Sequence, residues 1–233
     1  MVIRSLTISC MVAGALSGLP TSWVHAQSGA APGAAGAIPH FDPLGQPPST
    51  FTIELRNSVK AQLPFSDRRD FEEAKRGFIA EPPYKKIMAD AGHVAWDMAS
   101  YQWLLQGQDF ESIHPSLQRQ AILNMEYGLY EVVPGRIYQV RGYDLANISF
   151  IKGDTGWIIF DPLTAQETAR AALAFINEKL GKRPVVGVVY SHSHVDHFGG
   201  VRGVVDEADV ASGKVPVIAP EHFLREAIAE NVF

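Results

Sequence analysis

The sequence has few cysteines, no excess of basic residues and no apolar run long enough to cross a bilayer. Cys10 is its only cysteine, and it lies in a segment that we expect to be removed. The mature chain would then have no disulfide, no thiol nucleophile and no thiolate metal site. Lys and Arg number 20 against 25 Asp and Glu, a formal net charge of −5. Because a polyanion binder needs a basic face, we expect no nucleic-acid partner.

The N-terminus has the pattern of an export signal. Arg4 precedes an apolar stretch, Ser5 to Leu19, that Pro20 ends, and Val24-His25-Ala26 offers small residues for cleavage. The stretch is shorter than the ~20 residues of a membrane-spanning helix, and Cys10 lies too early for a lipoprotein. We therefore predict a signal peptide over residues 1–26, a periplasmic or secreted protein, and no membrane span.

Three further parts are predicted along the mature chain. Residues 27–49 are rich in Gly, Ala, Ser and Pro and predict a flexible leader. Residues 50–130 predict a mostly helical extension, with helices over 67–80 and 115–127. Residues 131–233 alternate strand and helix patterns, which indicates an α/β fold.

The extension contains little that indicates a reaction. The segment 89–105 holds Trp96, Tyr101 and Trp103, and we expect it to pack in the core or to cover a site. His93 and His114 stand alone, and lone histidines are more often structural or on the surface than catalytic.

In the second half, short strands and helices follow one another. Thr164 and Glu167 have the spacing of a reciprocal cap for a helix that Gly181 ends. Residues 185–190 are almost all apolar, which is typical of a strand covered on both sides. The other predicted elements are strands at 131–140 (with a turn at Gly135), 148–151, 157–160 and 215–219, and helices at 201–210 and from Pro220.

Four metal-binding side chains follow that buried strand within six residues: His192, His194, Asp196 and His197. Ligands in α/β sheets collect beyond the carboxyl ends of strands. Alternate side chains of an extended segment point the same way, so His192 and His194 can bind one ion. Asp196 and His197 lie in the following turn and suit a second ion.

The donors are imidazole and carboxylate, which suits Zn²⁺, with Fe or Mn as alternatives. Water between two such ions becomes a nucleophile near neutral pH, and Asp196 can orient it as well as bind metal. Gly199 and Gly200 would allow the backbone to approach closely. The alternative is a structural histidine cluster or an adventitious metal site.

Other motifs are weaker. Ser191 and Ser193 lack the Gly-x-Ser-x-Gly elbow of a serine hydrolase, and the glycines from Gly199 to Gly203 lack the spacing of a dinucleotide site. Asp161, at the end of a strand, is either an acid that steers a ligand histidine from the second shell or a turn cap beside Pro162.

The run His192-Ser193-His194-Val195-Asp196-His197 resembles the His-x-His-x-Asp-His signature of the metallo-β-lactamase superfamily. The hairpin from Gly153 to Pro162 looks like that superfamily's opening strands. The resemblance implies the first half of an αββα sandwich, preceded here by the helical extension.

A narrower likeness is to the linear alkyl sulfatases. It is carried by Tyr190 to Val210 and by Arg141-Gly142-Tyr143-Asp144-Leu145-Ala146-Asn147, and it extends from about residue 50 to the end. This resemblance implies a two-zinc hydrolase that releases sulfate from long-chain alkyl sulfates. His192 and His194 would bind the first zinc, and Asp196 and His197 the second.

The family's remaining ligands cannot be matched, since His222, the one later histidine, does not fit a ligand position. We therefore expect the N-terminal part of a longer protein, homodimeric at full length. Two alternatives stay open: another hydrolase of the superfamily (a lactamase, lactonase or thioesterase), or an inactive metal-binding chain.

Overall fold

The computed structural model describes residues 47–232. The predicted signal peptide and residues 27–46 of the predicted leader lie outside this range. Within it, no helix combines the length and apolar character that crossing a membrane requires. The helices are α1 (Thr50–Gln62), α2 (Arg69–Ala74), α3 (Pro115–Leu123), α4 (Gln166–Leu180), α5 (Glu207–Ala211) and α6 (Phe223–Asn231). Short 3-10 helices occur at Gln102–Gln106, Val195–His197 and Val201–Gly203.

Seven of the nine described strands form one sheet in the order β1-β4-β5-β6-β7-β8-β9. The strands are β1 (Phe78–Ala80), β2 (Lys86–Met88), β3 (Val94–Asp97), β4 (Gly128–Val133), β5 (Ile137–Arg141), β6 (Ile148–Lys152), β7 (Trp157–Phe160), β8 (Val185–Val189) and β9 (Val217–Ile218). Neighbours from β1 to β7 are antiparallel, whereas β7, β8 and β9 are parallel. The predicted α/β class is confirmed. Because parallel strands end at one edge, the loops after β7 and β8 lie side by side.

Helix α4 covers one face of the sheet. Trp157 is fully buried beneath it and donates its indole N–H to Asn177 Oδ1 at 2.9 Å. Gly181, at φ 90°, ends the helix where the sequence predicts. The buried partners are Ala169, Ala172, Phe175 and Ile176 of α4 and Tyr138, Val140, Ile148, Phe150 and Ile159 of the sheet. This core holds β7 and β8, the strands that lead to the histidine loop, in register.

The extension contains short strands as well as helices. The predicted helix over 67–80 is wrong at its end, because α2 stops at Ala74 and residues 78–80 form β1. Gly77 causes the change: it adopts φ 74°, and a side chain there would lie 2.0 Å from the Glu131 carbonyl oxygen. Strand β1 pairs with β4, and β2 and β3 form a separate two-stranded sheet. The extension therefore supplies one edge of the main sheet.

Two other local predictions are wrong. Thr164 and Glu167 do not cap α4: Thr164 Oγ1 donates to Asp144 at 2.7 Å, and Glu167 Oε1 accepts from the Asp90 amide at 3.0 Å. Both side chains bond to residues distant in sequence instead of to the first turn of α4. The helix predicted at 201–210 is divided into a 3-10 turn and the short α5.

Candidate metal centre

The four predicted ligands lie in the loop directly after β8. The loop leaves the sheet at Tyr190, whose amide donates to the Ile218 carbonyl at 2.9 Å, and it ends in the 3-10 turn Val195–His197. The ring centroid of His192 is 4.5 Å from that of His194 and 4.0 Å from that of His197. The structure thus brings the three imidazoles together at the carboxyl edge of the sheet.

The ring nitrogens face neighbouring side chains at one nitrogen of His192, one of His194 and both of His197. His192 Nδ1 is 2.8 Å from Ser191 Oγ, and His194 Nε2 is 3.0 Å from Glu230 Oε1. These contacts leave His192 Nε2 and His194 Nδ1 available for a metal. His197 Nε2 lies 3.3 Å from an oxygen of Asp196.

Asp161 connects the end of β7 to this loop. Its carboxylate accepts from the Ser191 amide at 2.8 Å and from Ser191 Oγ at 2.7 Å. Its Oδ2 also lies 2.9 Å from His197 Nδ1, but the angle is not that of a hydrogen bond, and this buried ring nitrogen has no hydrogen-bond partner. Asp161 therefore contacts the histidine loop, although its effect on a bound ion stays a prediction.

The residues 161–165, here called the strap, lie directly against Gly199 and Gly200. A Cβ atom would come within 2.4 Å of the Thr164 carbonyl oxygen at Gly199 and within 2.2 Å of the Pro162 carbonyl oxygen at Gly200. The Gly200 amide donates to the Leu163 carbonyl at 2.8 Å. The close backbone approach expected of these glycines is confirmed.

An aromatic cluster packs between the histidine loop and α6. The Tyr190 ring centroid is 5.9 Å from that of Phe198 and 5.3 Å from that of Phe223 in α6. Burial raises the pKa of Tyr190 to about 12, so its hydroxyl stays protonated at neutral pH. The cluster fixes α6 against the loop and so carries Glu230 to His194. Nothing in the local sequence indicates Glu230, because it lies far from the motif along the chain.

The other histidines of the described range lie away from this loop. His114 caps α3, where its Nδ1 accepts from the Ser116 amide at 3.2 Å, and His93 is exposed beside β3. His222 precedes α6 with φ 65°. These positions agree with structural or surface roles.

The loop's donors fit a divalent cation by type, but they do not form a complete cage. Within residues 47–232, no group of three or more His, Cys, Asp or Glu side chains is arranged to hold a metal ion. His194 turns towards Glu230, and it is 60% exposed against 22% for His197. A metal would have to draw the rings into a common arrangement, and the two-ion site remains a prediction.

Known proteins resemble the chain in the same region. Residues 141–232 match the family model of the metallo-β-lactamase superfamily. An (R)-specific secondary-alkylsulfatase from Pseudomonas sp. is 50% identical over 187 residues, which are 80% of this chain and 28% of that protein. The alkyl/aryl-sulfatase BDS1 of Saccharomyces cerevisiae is 44% identical over 185 residues, 79% of this chain and 28% of its own length.

A solved structure agrees with these relatives. The inverting sec-alkylsulfatase Pisa1 from Pseudomonas sp. superposes with a TM-score of 0.74 at 50% identity, over 80% of this chain and 29% of that one. The chain thus spans a little over a quarter of the length of the relatives that it matches. The resemblance predicted from the sequence is confirmed: residues 141–232 match the metallo-β-lactamase superfamily, and the chain is similar to alkylsulfatases over 80% of its length.

Proposed function

We propose that the protein containing this chain is a zinc-dependent hydrolase that releases sulfate from long-chain alkyl sulfates. The observation that carries the proposal is the loop of three histidines and Asp196 at the carboxyl edge of the sheet, in a chain homologous to alkylsulfatases. Imidazole and carboxylate are donors that zinc accepts.

His192 and His194 would hold the first zinc, through His192 Nε2 and His194 Nδ1, and Asp196 and His197 would hold the second. Further ligands would complete both ions, as the resemblance implies. Zinc bound in this way supplies Lewis acidity and lowers the pKa of water to near 7.

The chain's own side chains would prepare that site. Ser191 orients His192 through the 2.8 Å contact with Nδ1, and Glu230 orients His194 through Nε2. Asp161 would steer His197 without itself binding the metal, since its Oδ2 lies 2.9 Å from His197 Nδ1. Asp196, 26% exposed, would hold a proton of the attacking water and so direct its lone pair at the substrate.

A cavity lined mainly by the extension and by residues of the segment 141–147 would take the apolar part of the substrate. It has a volume of about 500 Å³, and its lining includes Trp96, Tyr101, Leu104, Leu145 and Asp144. Asp144, which is part of this lining, also accepts a hydrogen bond from Thr164 of the strap. Trp96, Tyr101 and Leu104 of the segment 89–105 therefore line one space, whereas Trp103 and Leu105 do not.

The test is sulfate release from dodecyl sulfate by the full-length protein, beside nitrocefin and an acyl-homoserine lactone. Replacing Asp196 by Ala should lower turnover about 10³-fold, because the group would act on the transition state. Asp206→Ala, an exposed aspartate ten residues further on, is the matched control and should keep full activity. Turnover of the lactam or lactone without sulfate release would favour another hydrolase of the superfamily.

Export and assembly belong to the same proposal. We expect the signal peptide to be cleaved after Ala26, so that the enzyme meets its substrate in the periplasm or outside the cell, and we expect a homodimer at full length. N-terminal sequencing of the exported protein and its mass in solution test both. An unprocessed N-terminus or a monomeric mass would contradict them.

A further inference from the structure

The segment Arg141–Asn147 contains a buried carboxylate that the proposed chemistry does not use. Asp144 is 7% exposed, and it is the only carboxylate among the buried residues of the described range 47–232. Its Oδ1 accepts from the Leu145 amide and from Thr164 Oγ1, each at 2.7 Å. Its Oδ2 accepts from Thr168 Oγ1 at 2.6 Å and from the amides of Thr164 at 3.2 Å and Ala165 at 3.4 Å. Four of these five donors belong to the strap or to the first turn of α4.

The strap needs such support because its backbone is strained. Asp161 and Leu163 adopt φ values of 55° and 63°, the left-handed region that side chains disfavour. A strained segment persists only where surrounding contacts determine it. Asp144 supplies those contacts, since its Oδ2 accepts from the amides of both Thr164 and Ala165 and its Oδ1 accepts from Thr164 Oγ1.

The strap in turn fastens both ends of the histidine loop. At one end Asp161 accepts the Ser191 amide, and at the other the Leu163 carbonyl accepts the Gly200 amide. The four candidate ligands lie between these two points. A displacement of the strap would therefore move both anchors of the loop together.

The extension fixes Asp144 itself. Gly142 adopts φ 79°, and a side chain there would lie 2.1 Å from the Tyr127 ring. The indole N–H of Trp96 donates to the Gly142 carbonyl at 2.8 Å. Residues of the extension thus hold the turn from which Asp144 reaches the strap.

We propose that Asp144 is a positioning residue for the histidine loop: it fixes the strap, and the strap sets the places of Ser191 and Gly200. The importance of the loop for catalysis rests on the proposed function, but the mechanical connection does not. Asp144 touches none of the four candidate ligands, so its effect would be wholly indirect.

The test depends on the backbone amides around Asp144, which are donors that cannot become acceptors. An asparagine at position 144 keeps the shape but has one acceptor oxygen instead of two. Hydroxyls can rotate to accept from its NH₂ group, but the backbone amides of Leu145 and Thr164, which bind different oxygens, cannot. One of these two amides would then face the NH₂ group of the asparagine. A buried N–H group without an acceptor lowers the free energy of unfolding.

Hydrogen exchange of the metal-free, full-length protein measures the consequence. Asp144→Asn should speed exchange about tenfold or more in peptides that cover 161–166 and 190–204, with no change in the second half of α4. Asp154→Asn makes the same chemical change at an exposed turn and should alter neither segment. Thr168→Val removes one donor and should give a smaller change in the same segments, which tests the idea even if Asp144→Asn does not fold.

Zinc affinity gives a second measurement. Asp144→Asn should weaken zinc binding about tenfold, as is usual when support for metal ligands is lost.

Uniformly faster hydrogen exchange across the sheet would mean that Asp144 serves only global stability, and unchanged exchange at 190–204 would show that the strap does not control the loop. Either result overturns the proposal. If the wild-type protein binds no zinc, the proposed function fails, yet the exchange experiment still decides the role of Asp144.

Discussion

Replacing Gly200 by alanine tests the contact between the strap and the histidine loop. The added methyl would lie 2.2 Å from the Pro162 carbonyl oxygen, 2.6 Å from that of Ala165 and 3.0 Å from the Ala169 Cβ. Two of the three atoms belong to the strap's backbone, which cannot rotate away as a flexible side chain does. To restore ordinary contact, loop and strap must separate by about 1 Å.

That separation has a predictable cost. Overpacking of this kind lowers the free energy of unfolding by about 1–3 kcal/mol. It also strains the Gly200 hydrogen bond to Leu163, whose length is 2.8 Å. Because the four candidate ligands lie in the displaced loop, we expect weaker zinc binding together with the lower stability.

Gly187 provides the matched control within the strand that leads to the loop. Its nearest neighbours would lie 3.9 Å from an added methyl, and its φ is not in the left-handed region. Gly187→Ala should therefore leave stability unchanged or raise it by up to about 1 kcal/mol. Thermal melts and competition with a chelator give the two quantities for both variants. If Gly200→Ala melts and binds zinc as Gly187→Ala does, the strap does not constrain the loop.

Two further predictions concern the ligands. The double variant His192→Ala, His194→Ala should retain less zinc than the wild type after dialysis, because both removed groups would bind the same ion; equal metal content by mass spectrometry would exclude them as ligands. Glu230→Gln should weaken zinc binding by up to about tenfold because His194 loses its charged partner, whereas Glu226→Gln in the same helix should have no effect. Equal affinities of the two glutamine variants would remove Glu230 from the site.

Where local pattern and packing agree, the sequence predicts the structure well. The apolar run before the histidines forms β8, α4 ends at Gly181, and the paired glycines meet a neighbouring backbone. In each case the determining interaction is within the segment or is a steric need that only glycine satisfies.

The predictions that failed depend on residues distant along the chain. Thr164 has the spacing of a cap, but a carboxylate 20 residues earlier binds its hydroxyl instead. The helix predicted at 67–80 gives way to a turn at Gly77, where a strand 54 residues later passes against the backbone. Glu230 reaches His194 through the packing of aromatic rings. Local sequence patterns do not predict such contacts, since the contacts form only when the helices and strands pack together.

The pairing of β1 with β4 affects how the protein can be divided. Phe78 is aligned with Tyr130 and Ala80 with Leu129, and Gly128 leaves room for the Ala80 carbonyl and the Phe78 ring. A shortened protein that started at Glu131 would keep every histidine of the loop, yet it would begin in the middle of β4 and expose the edge of β5. Exposed edges recruit other chains. The extension is thus part of the sheet through β1. Exchanging it between related proteins would require exchanging β4, with which β1 pairs, as well.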